Sequence, residues 1–163
     1  MQNNKKAIFL DRDGTLILDH GYIKDQNMVE ILPKVNLALQ KLKDNGFLLF
    51  IVTNQSGVGR GMMSMADVDA VNNKLLSLMG PNIITEVLVC PHSPKDSCKC
   101  RKPATELVYA AAAKYNIDLK LSYAIGDKDS DKELGINMGG TGIKIGEAGI
   151  KDIYDAAIRI LRT

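Results

Sequence analysis

A chain of 163 residues is long enough for one sizeable core and short for two ordinary domains. Its 45% hydrophobic and 25% charged residues suit a globular domain, and a net charge of +2 with no basic stripe between aromatics gives nucleic acid no electrostatic footprint. The longest apolar run, Phe47–Val52, falls far short of a membrane span, and the short apolar stretch behind Lys5 and Lys6 cannot serve as a signal-peptide core, so a cytoplasmic protein with no membrane partner is expected.

The first apolar run, Ala7–Leu10, predicts a strand, and it stops at Asp11-Arg12-Asp13-Gly14-Thr15. Extended backbone alternates its side chains, so Asp11 and Asp13 share a face and repel each other. At an effective dielectric of about 20, unit charges about 4 Å apart interact by about 4 kcal/mol. A divalent cation is the most direct way to offset that. Beyond Pro33, the spacing of Val35, Leu37, Ala38, Leu39 and Leu42 predicts a helix that stops at Asn45-Gly46. Phe47–Val52 then forms a second strand, followed by Thr53-Asn54-Gln55-Ser56. The glycines of Gly57-Val58-Gly59-Arg60-Gly61 do not fit a dinucleotide fingerprint and read as a flexible loop carrying Arg60.

Ser64 is placed to cap a helix over Met65–Met79, ended by Gly80-Pro81. Strands at Glu86–Cys90, Ser122–Ile125 and Thr141–Ile145 alternate with helices at Thr105–Tyr115, Asp129–Met138 and Ile150–Leu161. Nearly all-apolar strands between helices imply an α/β fold: a doubly wound, parallel, five-stranded sheet covered on both faces. Such sheets carry their sites at the carboxyl ends of the strands, where the polar clusters of this chain fall. The gaps from Asp13 to Thr53 and from Thr53 to Lys102 are filled by these elements, which leaves no room for a cap domain. Residues 1–163 therefore read as one capless domain, its site bordered by loops at Asp19–Tyr22, Gly57–Gly61 and a cysteine-rich segment.

The strand ends supply the parts for hydrolysis of a phosphate ester. Asp11 is the candidate nucleophile, and Asp13 the group that protonates the leaving alkoxide and later takes a proton from water. Gly14 lets the chain turn, Thr53 and Asn54 offer donors to phosphate oxygens, and Lys102 neutralises charge on the transferring group. Asp11, Asp13 and Asp127 offer oxygen ligands to Mg²⁺, and Asp131, one helical turn on, is placed to hold Lys128 or a metal-bound water. Each piece also has a bland reading, as a turn or a helix cap, but the pieces recur at equivalent strand ends. All three cysteines, Cys90, Cys98 and Cys100, lie near His92, a ligand set that suits structural Zn²⁺; the alternative is three unlinked thiols on a loop.

Asp11-Arg12-Asp13-Gly14-Thr15, Thr53-Asn54, Lys102 and Gly126-Asp127 resemble the four motifs of the haloacid dehalogenase superfamily of Mg²⁺-dependent phosphohydrolases, over essentially the whole chain. The zinc loop narrows the resemblance to the subgroup of heptose bisphosphate phosphatases and histidinol phosphatases. Within it, Asp19-His20-Gly21-Tyr22 and the run Thr53–Gly61 are similar to the heptose enzymes. The resemblance implies substrate contacts from Arg12, Asp19, His20, Gly21, Tyr22, Asn54, Gln55, Ser56, Arg60, Arg101 and Lys128. With Asp11 as nucleophile the expected intermediate is phospho-Asp11; the resemblance implies as substrate the 7-phosphate of D-glycero-D-manno-heptose 1,7-bisphosphate, a small phosphorylated sugar, and a monomer is expected. The loop from His92 to Cys98 is shorter than in many heptose enzymes, and Thr105-Glu106 replaces their Pro-Gly. Histidinol phosphate is the alternative substrate. A non-enzymatic zinc-loop interaction module is the alternative of another class.

Overall fold

Five short apolar runs lie side by side in the order β3-β2-β1-β4-β5, every pairing parallel. The computed structural model describes residues 4–163. In chain order the elements are β1 (Lys6–Leu10), α1 (Val35–Asp44), β2 (Phe47–Asn54), α2 (Ser56–Gly59), α3 (Met65–Met79), β3 (Glu86–Cys90), α4 (Glu106–Tyr115), β4 (Tyr123–Gly126), α5 (Asp129–Asn137), β5 (Thr141–Lys144) and α6 (Ile153–Leu161). Central β1 is thus flanked by β2 and β4, and Leu10 faces Ile51 on one side and Ile125 on the other.

Alternation along the strands divides the core into two layers. Ile8, Leu10, Leu49 and Ile51 pack under α1, α3 and α6, against residues such as Leu39, Leu75 and Ile153. Ala7, Phe9, Phe50 and Val52 pack on the other face, against Val108 of α4 and Leu134 of α5. Helices on both faces explain why the central strands are nearly all apolar, while the edge strands β3 and β5 admit Glu86, Thr141 and Lys144. Among the described residues, no helix is long and apolar enough to cross a membrane.

Two boundaries move for identifiable reasons. The last helix begins at Ile153, not Ile150, because the Asp152 carboxylate accepts from the Asp155 N–H and caps it there. The fourth strand begins at Tyr123, since the Ser122 hydroxyl accepts from the Ala7 N–H and donates to the Asp118 carbonyl. A larger correction concerns Gly57–Gly61. The expected flexible loop is in part a helical turn, Ser56–Gly59, wedged between neighbours. A Cβ at Gly57 would come within 2.9 Å of Tyr22, and one at Gly59 within 2.6 Å of the Ser93 nitrogen. These glycines serve close packing, not mobility.

Candidate active site

Parallel register brings the ends of β1, β2 and β4 to one edge of the sheet, and the Asp11 N–H donates to the Ile125 carbonyl at 2.9 Å. Beyond Asp11 the backbone leaves the strand. Gly14 takes φ 82° and its N–H bonds the Ile17 carbonyl, so the chain curls back under the sheet edge. A side chain on Gly14 would collide with the carboxylate of Asp127, and one on Gly126 with that of Asp131. Two bare backbone positions therefore let carboxylates from the β4–α5 segment come close to Asp11.

The result is an acidic trio. Asp11, Asp127 and Asp131 present carboxylate oxygens within 4.8 Å of one another. One cation lies among them: the Lys102 Nζ, in a residue only 5% exposed, donates to Asp11 Oδ1 at 2.8 Å and to Asp131 Oδ1 at 2.7 Å. Burial by itself would push the Lys102 ammonium down, but the attraction of Asp11 and Asp131 holds its pKa above the ordinary lysine value. Burial raises the Asp127 pKa to about 6, and the neighbouring Asp11 adds to that rise. Asp131 is raised too, by burial first, with Lys102 pulling it back. Asp11 Oδ2 and Asp127 Oδ1 are buried without a hydrogen-bond partner. Three carboxylates against one ammonium, with two uncommitted oxygens, are a donor set that fits a hard divalent cation such as Mg²⁺.

Asp13 does not join this trio, although its strand spacing predicts that it should. Its carboxylate accepts from Arg12 Nε and Nη2 at 3.1 and 3.2 Å and from Gln55 Nε2 at 3.0 Å. The turn at Gly14 ends the alternation that would have aimed it beside Asp11. Asp131 takes the third position, and it binds the Lys102 side chain and the Lys128 backbone N–H, not the Lys128 ammonium.

The cysteine segment closes as a ligand cluster. Cys90, His92, Cys98 and Cys100 offer donor atoms within 4.8 Å of one another, with Cys90 Sγ 3.6 Å from both Cys98 Sγ and His92 Nδ1. Tetrahedral zinc separates its sulfur ligands by about 3.8 Å. Cys90 and Cys98 stand close to that and Cys90 and Cys100 nearer, at 2.9 Å, and three thiols with one imidazole gathered at one point are a donor set that fits Zn²⁺. Desolvation and the neighbouring thiols push Cys100 up to about 12; backbone N–H groups of Arg101 and Cys100 overcome desolvation and hold Cys98 at about 7. This cluster is tied to the sheet edge. The Cys90 carbonyl accepts from the Gln55 N–H and the Pro91 carbonyl from the Gly59 N–H, both at 2.8 Å. Asn54 clamps the residue after Arg101: its Oδ1 accepts from the Lys102 N–H at 3.0 Å and its Nδ2 donates to the Lys102 carbonyl at 3.3 Å. The Asn54 amide is therefore spent on placing Lys102.

A cleft of about 400 Å³ opens over this edge, lined by Asp13, Asp19, Gly21, Tyr22, Asn54, Gln55, Ser56, Arg60, Arg101, Lys128 and Ser130. Most of the expected substrate contacts meet there, but two do not. Arg12 is fully buried and faces Asn72, and His20 is exposed without lining the cleft. Thr53 sits just beneath, its Oγ1 accepting from Gln55 at 2.6 Å, which leaves its own O–H free to donate. Two residues escaped sequence reading. Ser130 stands in the first turn of α5, close enough to Asp127 to have been suspected, while Asn72 interrupts the buried face Val68, Val71, Leu75 of α3. A wider groove of about 630 Å³ along α6, lined by Tyr154, Ile158 and Arg162 among others, contains none of these groups.

Residues 6–138 match the sequence profile of the polynucleotide kinase 3 phosphatase family. The chain is 36% identical over 139 residues to the D-glycero-beta-D-manno-heptose-1,7-bisphosphate 7-phosphatase of Helicobacter pylori, an alignment spanning 83% of this chain and 80% of that one. Over 145 residues it is 36% identical to the enzyme of the same name from Escherichia coli, spanning 83% and 76%. The crystal structure of D,D-heptose 1,7-bisphosphate phosphatase from B. bronchiseptica, complexed with magnesium and phosphate, superposes with a TM-score of 0.85 at 26% identity, covering 96% of this chain and 98% of that one.

Proposed function

Since the chain belongs to the polynucleotide kinase 3 phosphatase family of haloacid dehalogenase-type phosphatases, and is a phosphoric monoester hydrolase, we propose that it removes the 7-phosphate of D-glycero-D-manno-heptose 1,7-bisphosphate through a phospho-Asp11 intermediate. That kinship sets aside a zinc-loop module without activity. The observation carrying the mechanism is the asymmetry of Asp11: Oδ1 is tied to Lys102, whereas Oδ2 is buried with its lone pairs uncommitted. An oxygen so held and so little hydrogen-bonded is a nucleophile without a donor to shed first.

In the first step an Asp11 oxygen bonds to phosphorus as the bond from phosphorus to the C7 oxygen breaks, and Asp13 gives that oxygen a proton. The alcohol leaves. In the second, water bonds to phosphorus, passes its proton to Asp13 and releases inorganic phosphate, restoring Asp11. Lys102 balances charge at Asp11 throughout, and the Thr53 hydroxyl donates to a phosphoryl oxygen. Mg²⁺ would be held by Asp11 and Asp127 and would neutralise negative charge on the phosphate as a Lewis acid. Zn²⁺ at Cys90, His92, Cys98 and Cys100 is structural, a brace that places Lys102 and α2. The working form is a cytoplasmic, single-domain monomer whose partner is a small sugar phosphate rather than nucleic acid or a membrane.

Charge favours the heptose over histidinol phosphate. The cleft wall presents Arg60, Arg101 and Lys128 against Asp19, with Asp13 at the floor already engaged by Arg12. Three cations suit a second phosphate and repel an amine-bearing substrate. The test is a panel of kcat/KM values with Mg²⁺ over heptose 1,7-bisphosphate, heptose 7-phosphate and histidinol phosphate, with rapid-quench trapping of labelled phosphate. The bisphosphate should lead and the label should sit on Asp11. A lead for histidinol phosphate would overturn the substrate, and turnover without an Asp11 adduct would overturn the mechanism.

A further inference from the structure

Arg12 and Asn72 have no place in the cleft, yet they form a chain that ends on a cleft residue. Arg12 turns inward and is fully buried. Its Nη1 donates to Asn72 Oδ1 at 2.8 Å, while Nε and Nη2 donate to the two oxygens of Asp13 at 3.1 and 3.2 Å. Arg12 and Asp13 lie past the end of β1, where the backbone bends, so strand alternation does not fix where either side chain points and their pairing needs another hold. Here the far end of the guanidinium is anchored. Asn72 is 5% exposed, on the apolar face of α3, where an amide is unfavourable unless it is satisfied. Gln55 completes the hold from between β2 and α2, donating to Asp13 Oδ2 at 3.0 Å.

The count of donors has a directional consequence. Oδ2 of Asp13 receives one donor from Arg12 and one from Gln55, whereas Oδ1 receives one from Arg12 alone. A carboxylate oxygen has about two acceptor positions, so Oδ1 is the oxygen with capacity left. We infer that Asn72, acting through Arg12, is a positioning residue that presents Oδ1 of Asp13 to the leaving-group oxygen. In the step itself the proton on Oδ1 passes to that oxygen as its bond to phosphorus breaks, and Oδ1 later receives the proton of the attacking water. The inference rests on the reading of Asp13 as leaving-group acid, and the experiment separates the two.

The measurement compares kcat/KM for an alkyl ester, heptose 1,7-bisphosphate, with that for an aryl ester, p-nitrophenyl phosphate, on the same preparation. A nitrophenolate departs without a proton, and an alkoxide does not. The folded fraction cancels from the ratio, so a variant that is merely less stable leaves it unchanged. Asp13→Asn should lower the alkyl-to-aryl ratio by about 10²- to 10⁴-fold. Asn72→Leu should lower it by about 10²-fold, the cost of a misplaced catalytic group. Arg12→Lys, which keeps the charge and loses the two-pronged grip, should fall in the same direction and serves if Asn72→Leu does not fold. An unchanged ratio in Asn72→Leu or Arg12→Lys beside a lowered one in Asp13→Asn would overturn the inference. An unchanged ratio in Asp13→Asn would overturn the acid assignment first.

Discussion

Replacing Lys102 with methionine keeps the length of the side chain and removes the one cation at the centre of the acidic trio. In the protein its ammonium is 2.8 Å from Asp11 and 2.7 Å from Asp131, and all three side chains are less than a tenth exposed. Removing one partner of a buried pair costs about 3–5 kcal/mol, because the charge left behind is desolvated and unpaired. That is a large share of the roughly 5–15 kcal/mol that holds an ordinary domain together. With a urea slope of about 2 kcal/mol per molar, the unfolding midpoint in EDTA should drop by about 2 M. Added Mg²⁺ should restore part of the loss, since it supplies positive charge to the same oxygens. Lowering the pH should also restore part, because Asp131 and Asp127 already sit above the ordinary carboxylate value and take up protons readily. Phosphate release should fall by about 10²- to 10³-fold even where the variant is fully folded, as for loss of a charge-stabilising donor. A midpoint shift smaller than 0.5 M, taken as roughly 1 kcal/mol at that slope, would refute the reasoning, for it would mean that Asp11 and Asp131 are solvated or protonated without the lysine.

Gly14→Ala should be folded but cation-poor: the φ of 82° strains an alanine by about 1–3 kcal/mol, and its methyl displaces Asp127. Calorimetry should find Mg²⁺ affinity reduced more than tenfold, an effect estimated from a displaced ligand. Asp127 also sets a pH dependence whose sign can be worked out. Its carboxyl rises from 3.8 to about 6 on folding, so its ionisation penalises the metal-free protein above pH 6 and the penalty disappears as pH falls toward 3.8. Thermal melts in EDTA should therefore show this contribution improving on acidification, while Mg²⁺ affinity moves oppositely, falling about tenfold per unit below pH 6 as protons compete. Stripping Zn²⁺ should raise KM and expose the segment around Cys98 to protease, because Lys102 and α2 both hang from that loop. Unaltered kinetics in a preparation shown to be zinc-free would contradict the bracing role.

The central strands were legible because they are buried on both faces and nearly all apolar, the edge strands β3 and β5 by shorter apolar stretches, and the helix Met65–Met79 because Ser64 and Asp67 form a reciprocal cap at its start. Short helix α2 was not: its glycines have poor helical propensity, and what holds them is tertiary, the tight seats against Tyr22 and the zinc loop. At the site, Asp11, Thr53 and Asp127 stood out because they lie at strand ends, and Lys102 because it matches one of the superfamily's motifs. The direction of Asp13 did not, since alternation applies only while the chain remains extended, and it turns at Gly14. The burial of Arg12 was beyond the sequence for another reason. Arginine is almost never fully buried unless paired, and its anchor lies sixty positions further on, a separation that no local pattern encodes.

That dispersal reaches into biosynthesis. Asp11, Thr53, Lys102 and Asp131 come from four separate stretches, and none stands in its place until parallel neighbours have aligned around β1. Parallel pairing closes long loops, so assembly is dominated by distant contacts and is intrinsically slow. A nascent chain lacking β4 and the residue beyond it has neither Asp127 nor Asp131. Hydrolytic competence therefore arrives in one step, once β4 has joined β1, rather than growing as the polypeptide lengthens.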